Sequence, residues 1–160
     1  MLEMIRQMIQ GAPAWIWLVL GVIMARGVRA LNQRVVYFPT PFIVPAVLVI
    51  LKLIYGGKDD MVIYYFIGLF AGIAAGYIKT QNQKGIVINK KTMEVTIPGS
   101  PQLLIVLLFF FVVKYFFGYL GAVHAEIALE YMWLENILTG GIIGYLWGNS
   151  ASYLRRYLQA

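Results

Sequence analysis

The sequence contains no cysteine and a single histidine, His124. Without cysteine the chain has no disulfides, no thiolate metal ligands, no c-type haem attachment site and no cysteine nucleophile. Charged residues are also scarce: they make up 12% of the chain, against about 25% in typical soluble domains. These absences exclude thiol-based chemistry and direct attention to the apolar residues.

Catalytic patterns are missing as well. The chain has no His-Glu-x-x-His zinc motif, no phosphate-binding glycine loop, and at residues 99–101 a Gly-Ser-Pro sequence that does not fit a nucleophile elbow. His124 is followed by Glu126 and Glu130, a pattern that favours a loop contact over a metal site needing three or four ligands. We therefore expect a protein that is not an enzyme and holds no metal or cofactor.

Hydrophobic residues make up 61% of the sequence, more than a soluble core of this size could bury. A membrane-spanning helix needs about 20 apolar residues. Five segments come near that length, at residues 13–30, 41–55, 61–78, 101–123 and 134–154. The sequence predicts an all-α membrane protein, in which residues 1–160 form one integral membrane domain built as a bundle of about five transmembrane helices.

The basic residues fall on one side of this predicted topology. They follow the first helix, lie between the third and fourth helices, and close the chain: Arg26, Arg29, Arg34, Lys79, Lys84, Lys90, Lys91, Arg155 and Arg156. Because basic loops are retained in the cytoplasm, we expect the N-terminus outside and the C-terminus in the cytoplasm. Topology thus explains the net charge of +6, and the dispersed basic residues do not indicate a nucleic-acid partner.

The longest polar stretch lies between the third and fourth predicted helices. Residues 93–97 alternate apolar and polar side chains, residues 85–88 are rich in β-branched side chains, and residues 89–92 suit a turn. This pattern predicts a small cytoplasmic β-hairpin at residues 85–97. Since an isolated hairpin is marginal in water, we expect it to rest on the helix ends, with residues 35–38 as a possible third strand.

Two of the predicted helices carry glycines at four-residue intervals. They are Gly68, Gly72 and Gly76 in the third helix and Gly140, Gly144 and Gly148 in the fifth. Small residues at this spacing let helix backbones approach closely in lipid. Three interpretations stay open, namely packing within the chain, a homodimer contact, and a lining that leaves room for a substrate.

Three cationic residues fall inside predicted spans, where charge is costly and often functional. Lys114 lies past the middle of the fourth helix, next to Tyr115. It either binds an anionic ligand or lipid headgroup, serves as one station in a proton path, or forms a structural pair with Glu135 at the start of the fifth helix. The other candidate binding residues are Tyr115, Glu135 and Arg26, the last of which lies close enough to the helix end to reach water. Lys52 is near enough to the outer interface, or to Asp59 and Asp60, for a purely structural role.

Residues 95–118 read as a strand, a Pro-Gly-Ser turn and a helix that contains a Lys-Tyr-x-x-Gly pattern beginning at Lys114. In these features the sequence resembles a family of small bacterial inner-membrane proteins of unknown function. The resemblance extends to the Pro-Ala-Trp-Ile-Trp start at residue 13 and the glycine-rich third helix. The resemblance implies the fold, the topology and a bacterial inner-membrane location, but no activity.

Two functions agree with these features. The first is a non-enzymatic membrane module that binds a partner protein or a lipid. The second is a small transporter or permeability factor that uses Lys114 within a glycine-lined bundle. The expected partners are the lipid bilayer and either another membrane protein or a second copy of the chain.

Overall fold

The computed structural model describes residues 14–55, 61–89 and 92–159. These residues form the helices α1 Ala14–Arg29, α2 Thr40–Tyr55, α3 Val62–Gln81, α4 Gln102–Val123, α5 Ala125–Glu130 and α6 Met132–Gln159, and the strands β1 Arg34–Tyr37, β2 Val87–Asn89 and β3 Glu94–Ile97. The five predicted helical segments correspond to α1, α2, α3, α4 and α6. The mainly helical fold with a small sheet is confirmed, and the number of membrane crossings stays a prediction.

The closest helix contact joins α3 and α6. Glycines line both sides of it: Gly68, Gly72 and Gly76 on α3, and Gly140, Gly144 and Gly148 on α6. A Cβ atom on Gly68 would overlap the carbonyl oxygen of Ile137, and one on Gly76 would overlap that of Tyr145. Residue numbers rise together along the contact, so the two helices are parallel. The glycines therefore pack two helices of one chain backbone to backbone.

Helix α2 packs antiparallel against α6. Pro45 has no N–H, so it leaves the carbonyl of Pro41 without its usual helical partner. Ser150 Oγ of α6 donates a hydrogen bond to that carbonyl over 2.9 Å. Near the other end of α2, Lys52 Nζ donates to Asn136 Oδ1 over 2.9 Å. A hydroxyl on α6 thus satisfies a backbone group that the proline in α2 leaves free.

Helix α4 also runs antiparallel to α6. At one end the side-chain amide of Gln102 donates to the hydroxyl of Tyr145. Further along, Lys114 Nζ lies 2.7 Å from Glu135 Oε1. Helix α6 therefore contacts α2, α3 and α4 through separate groups of residues.

Helix α1 packs against α4. Gly27 lies directly against the side chain of Leu104 near the start of α4, where a Cβ atom would overlap it. The backbone N–H of Ser100 donates to the carbonyl of Ala30 over 2.9 Å, which ties the end of α1 to the segment leading into α4. The C-terminal end of α1 and the N-terminal end of α4 are therefore neighbours.

The strands form one antiparallel sheet in the order β1-β3-β2. Both the hairpin of β2 with β3 and the third strand from residues 35–38 were expected, and both are confirmed. Residues 90 and 91 of the predicted turn lie outside the described residues. Val95 and Ile97 of β3 are buried against Tyr153 near the end of α6, so the sheet covers the helix ends as expected.

Two helices among the described residues, α3 and α4, are long and apolar enough to cross a membrane. Few of their large side chains are buried, and several are well exposed. Phe70 of α3 is 67% exposed, and Ile105 and Val112 of α4 are 61% and 57% exposed. A core helix of a soluble protein would bury such residues, and contiguous exposed apolar surface of this kind is typical of contact with lipid.

The structure differs from the predicted boundaries in three places. Helix α5 was not expected, α3 continues to Gln81 rather than residue 78, and α6 is longer than residues 134–154. The last two extensions support each other. Arg156 of α6 donates to the carbonyls of Thr80, Gln81 and Gln83 at distances of 2.7–2.9 Å, which satisfies the end of α3.

The glycine contact gives a test of the packing. Gly72→Ala should lower the free energy of unfolding by about 1–3 kcal/mol, because its Cβ atom would overlap the backbone of Gly141 and Tyr145. Gly118→Ala is the matched control, since a Cβ there meets nothing within 4 Å and alanine favours the helix. Thermal unfolding of both variants in the same detergent measures the difference. Equal stability of the two would contradict the packing.

Candidate functional site

A cavity of about 460 Å³ lies at the end of the bundle that carries the sheet. Its walls come from α1, α2, α4, α6 and the strands β1 and β3. The two helices that frame it, α1 and α2, pack mainly against different partners, α4 and α6. The cavity occupies the space between them.

Three arginines line this cavity, and we call them the arginine cluster: Arg26, Arg29 and Arg34. Arg26 and Arg29 lie three residues apart in the last turn of α1, so they project from the same side of the helix. Arg34 is the first residue of β1 and is half-buried. No Asp or Glu belongs to the cavity wall within the part of the chain that the structure describes. The site therefore carries a strong positive potential.

Neutral polar groups form the next part of the wall. Ser100 Oγ accepts a hydrogen bond from the backbone N–H of Gln102 over 3.2 Å and so caps the start of α4. The Gln102 side chain bonds the hydroxyl of Tyr145. Asn149 Oδ1 accepts from Thr80 Oγ1 over 2.7 Å. These bonds hold the polar side chains in place around the cavity.

The deeper wall is apolar. It consists of Val44, Pro45, Leu103, Val106, Leu107 and Leu146. Val106 lies four residues beyond Gln102, about 6 Å further along α4 at the helical rise of about 1.5 Å per residue. The cavity thus passes from arginines at the sheet end to aliphatic side chains inside the bundle, an arrangement that suits a molecule with an anionic head and an apolar tail.

Lys114 and Glu135 come together at a different place. The Lys114–Glu135 ion pair spans 2.7 Å, and its two side chains are 37% and 29% exposed. Tyr115 stacks on Phe111 with ring centroids 6.0 Å apart. Lys114 lies eight residues, about 12 Å, beyond Val106 along α4 and does not line the large cavity. Of the predicted binding residues, only Arg26 belongs to that cavity.

Lys52 has a partner on α6 rather than at the outer end of α2. In addition to its bond with Asn136, its ammonium lies 5.8 Å from the ring centroid of Tyr65, within cation–π range. Asp59 and Asp60, the other partners considered for it, lie outside the described residues. Among the described residues no three His, Asp or Glu side chains cluster as metal ligands would.

Sequence reasoning missed most of the arginine cluster and the polar wall. Arg29 and Arg34 were interpreted as topology signals only. One available signal was the three-residue spacing of Arg26 and Arg29. Their convergence with Arg34, however, depends on where the sheet and α4 pack.

The ion pair gives a second test. Lys114→Met should lower the free energy of unfolding by about 1–3 kcal/mol, because it leaves the Glu135 carboxylate half-buried without its partner. The double variant Lys114→Met, Glu135→Met removes both charges and should be closer to wild type than the sum of the single changes. Thermal unfolding of wild type, the two single variants Lys114→Met and Glu135→Met, and the double variant completes this double-mutant cycle. Strictly additive effects would contradict coupling between the two residues.

Comparisons of the chain with protein-family models, with curated proteins and with solved structures gave no match. The resemblance to small bacterial inner-membrane proteins therefore stays a prediction.

Proposed function

We propose that the chain is a multi-pass membrane protein with five spans, α1, α2, α3, α4 and α6. The parallel packing of α3 and α6 supports this arrangement, because α4 must then carry the chain back across the full depth of the bundle. Its 22 residues correspond to about 33 Å, close to the hydrocarbon thickness of a bilayer. The shorter α1 and α2 match that depth with flanking polar side chains that reach the interface.

The charge distribution supports one orientation. At the sheet end the described basic residues are Arg26, Arg29, Arg34, Lys79, Lys84, Arg155 and Arg156. The opposite end holds Glu126, Glu130 and Glu135. By the positive-inside rule the sheet end faces the cytoplasm, which leaves the N-terminus outside and the C-terminus inside. The family resemblance implies that the membrane is a bacterial inner membrane.

The function that the geometry supports best is non-enzymatic binding of an anionic amphiphile, such as a membrane lipid, in the arginine-lined cavity. The observation that carries this conclusion is the cavity itself, with three arginines at the cytoplasmic end and aliphatic side chains deeper in the bundle. That order matches the arrangement of headgroups and acyl chains in the inner half of a bilayer. Basic pockets between helices on this side suit anionic headgroups.

The alternative of a transport path through Lys114 has less support. The glycine faces that would line such a path are filled by the backbones of α3 and α6. Lys114 is bonded to Glu135, and the large cavity does not reach it. These contacts favour an architectural role for both features.

Orientation is tested with single cysteines, since the native chain has none. In intact cells an impermeant maleimide should label Glu130→Cys at the end of α5 and leave Asn89→Cys in β2 unlabelled until the membrane is opened. Both side chains are exposed, so access to reagent decides the outcome. The reverse pattern would invert the topology, and labelling of both would contradict a membrane barrier between them.

Lipid binding is tested with the purified full chain. Dioleoyl phosphatidylglycerol should raise the melting temperature more than dioleoyl phosphatidylcholine. The triple variant Arg26→Gln, Arg29→Gln, Arg34→Gln should weaken binding at least about tenfold, since a charge-assisted hydrogen bond contributes about 1.5–3 kcal/mol. Lys79→Gln with Lys84→Gln is the matched control, because these exposed basic residues lie at the same end but outside the cavity. Equal losses in the two proteins would indicate surface attraction rather than a site.

A further inference from the structure

The arginine cluster contains more positive charge than one negative charge can neutralise. Three guanidinium groups line the cavity, and no carboxylate in the described part of its wall offsets them. Glu94 is the one acidic residue described at the sheet end; it accepts a hydrogen bond from Thr92 over 2.9 Å and lies outside the cavity. A carboxylate or a phosphodiester would leave two of the three positive charges without a counter-charge.

The cavity is lined by arginine rather than lysine, and this choice of side chain indicates the kind of anion it suits. Lys79 and Lys84 are at the same end of the bundle but do not line the cavity, whereas all three charged lining residues are arginines. A guanidinium group offers a planar fork of donors that binds phosphate oxygens in pairs, which an ammonium group does not. Several arginines around one space therefore favour phosphate.

Two helices begin at the wall of this cavity. Thr40 and Pro41 of α2 and Gln102 of α4 all line it, so the positive ends of two helix dipoles add to the field of the arginines. This contribution supports the cluster and would be weak without it. The whole arrangement favours a ligand that concentrates more than one negative charge on a small group.

Resting on the proposed function, we propose that the cavity selects lipids whose phosphate carries about two or more negative charges, that is phosphomonoester or diphosphate lipids, over singly charged lipids. The phosphate would lie among Arg26, Arg29 and Arg34. The acyl chain of the lipid would lie along the aliphatic wall near Val106. The apolar wall is what distinguishes a lipid-borne phosphate from a free phosphate ion.

This proposal predicts a pH dependence with a defined sign. The titratable lining groups are the three arginines from α1 and β1 and two tyrosines of α6, Tyr145 and Tyr153, and the described lining residues of α2, α4 and β3 include no titratable group. In general, arginine and tyrosine side chains titrate well above pH 8. A phosphomonoester loses its second proton near pH 6. Affinity should therefore rise with pH for such a lipid and stay constant for a phosphodiester lipid.

The experiment measures binding of dioleoyl phosphatidate and dioleoyl phosphatidylglycerol to the purified full chain, by native mass spectrometry and by thermal shift. At pH 7.5 phosphatidate should bind about tenfold more tightly, the effect of roughly one added charge-assisted hydrogen bond. At pH 5 the two lipids should bind about equally. Arg29→Gln alone should reduce the preference and serves as a milder variant where the triple change prevents folding.

The apolar wall has its own pair of variants. Val106→Trp should fill the deeper cavity and weaken binding of both lipids. Val112→Trp is the control, because Val112 is on the same helix but faces outward at 57% exposure. If the two variants bind the lipids equally well, the acyl chain does not occupy the cavity.

The remaining outcomes separate this inference from the proposed function. Equal affinity for phosphatidate and phosphatidylglycerol at both pH values overturns the phosphate selectivity and leaves anionic lipid binding intact. Failure of both lipids to exceed phosphatidylcholine overturns the two together. Inorganic phosphate or pyrophosphate, added without lipid, should give no comparable thermal shift, and an equal shift would overturn a lipid as the source of the phosphate.

Discussion

The backbone contact between α3 and α6 determines where the rest of the chain must go. Because glycines remove side chains from both surfaces, the two helices approach to backbone distance and are fixed in one register. Beyond the glycines the same register continues in the bond between Thr80 and Asn149 and in the bonds of Arg156 to the end of α3. Two parallel helices separated in sequence require a return path, and α4 provides it.

Several polar residues of α6 bond the helices packed around it. Glu135 and Asn136 bond lysines on α4 and α2, Asn149 bonds α3, and Ser150 bonds the carbonyl that the proline in α2 leaves free. A helix surrounded on three sides satisfies these groups within the protein rather than with water. This is why α6 looks too polar for a span by composition and still suits the middle of a bundle.

The sequence allowed prediction of those features that depend on local pattern. Apolar runs predicted the helices α1, α2, α3, α4 and α6, and the alternation of apolar and polar residues predicted the hairpin. Both patterns depend only on residues that are close together in the sequence. Lys114 and Glu135 were a recognisable pair because each is a charge in an apolar segment. Arg26 was a predicted binding residue, but its convergence with Arg34 was not predictable, since both are also typical topology signals. Nothing local to either residue indicates that a sheet strand and a helix end converge on one space.

The cavity follows from how α1 and α2 are divided between partners. α1 packs on α4 through Gly27, while α2 is held to α6 through Ser150 and Lys52. The sheet connects these two pairs of helices, because β1 lies between α1 and α2 in the chain and pairs with β3. The gap that this division leaves is lined by the three arginines, of which Arg34 is half-buried while Arg26 and Arg29 are exposed. In the proposed function, the phosphate of a bound lipid supplies the counter-charge to these guanidinium groups, and the aliphatic side chains of the cavity contact its acyl chains.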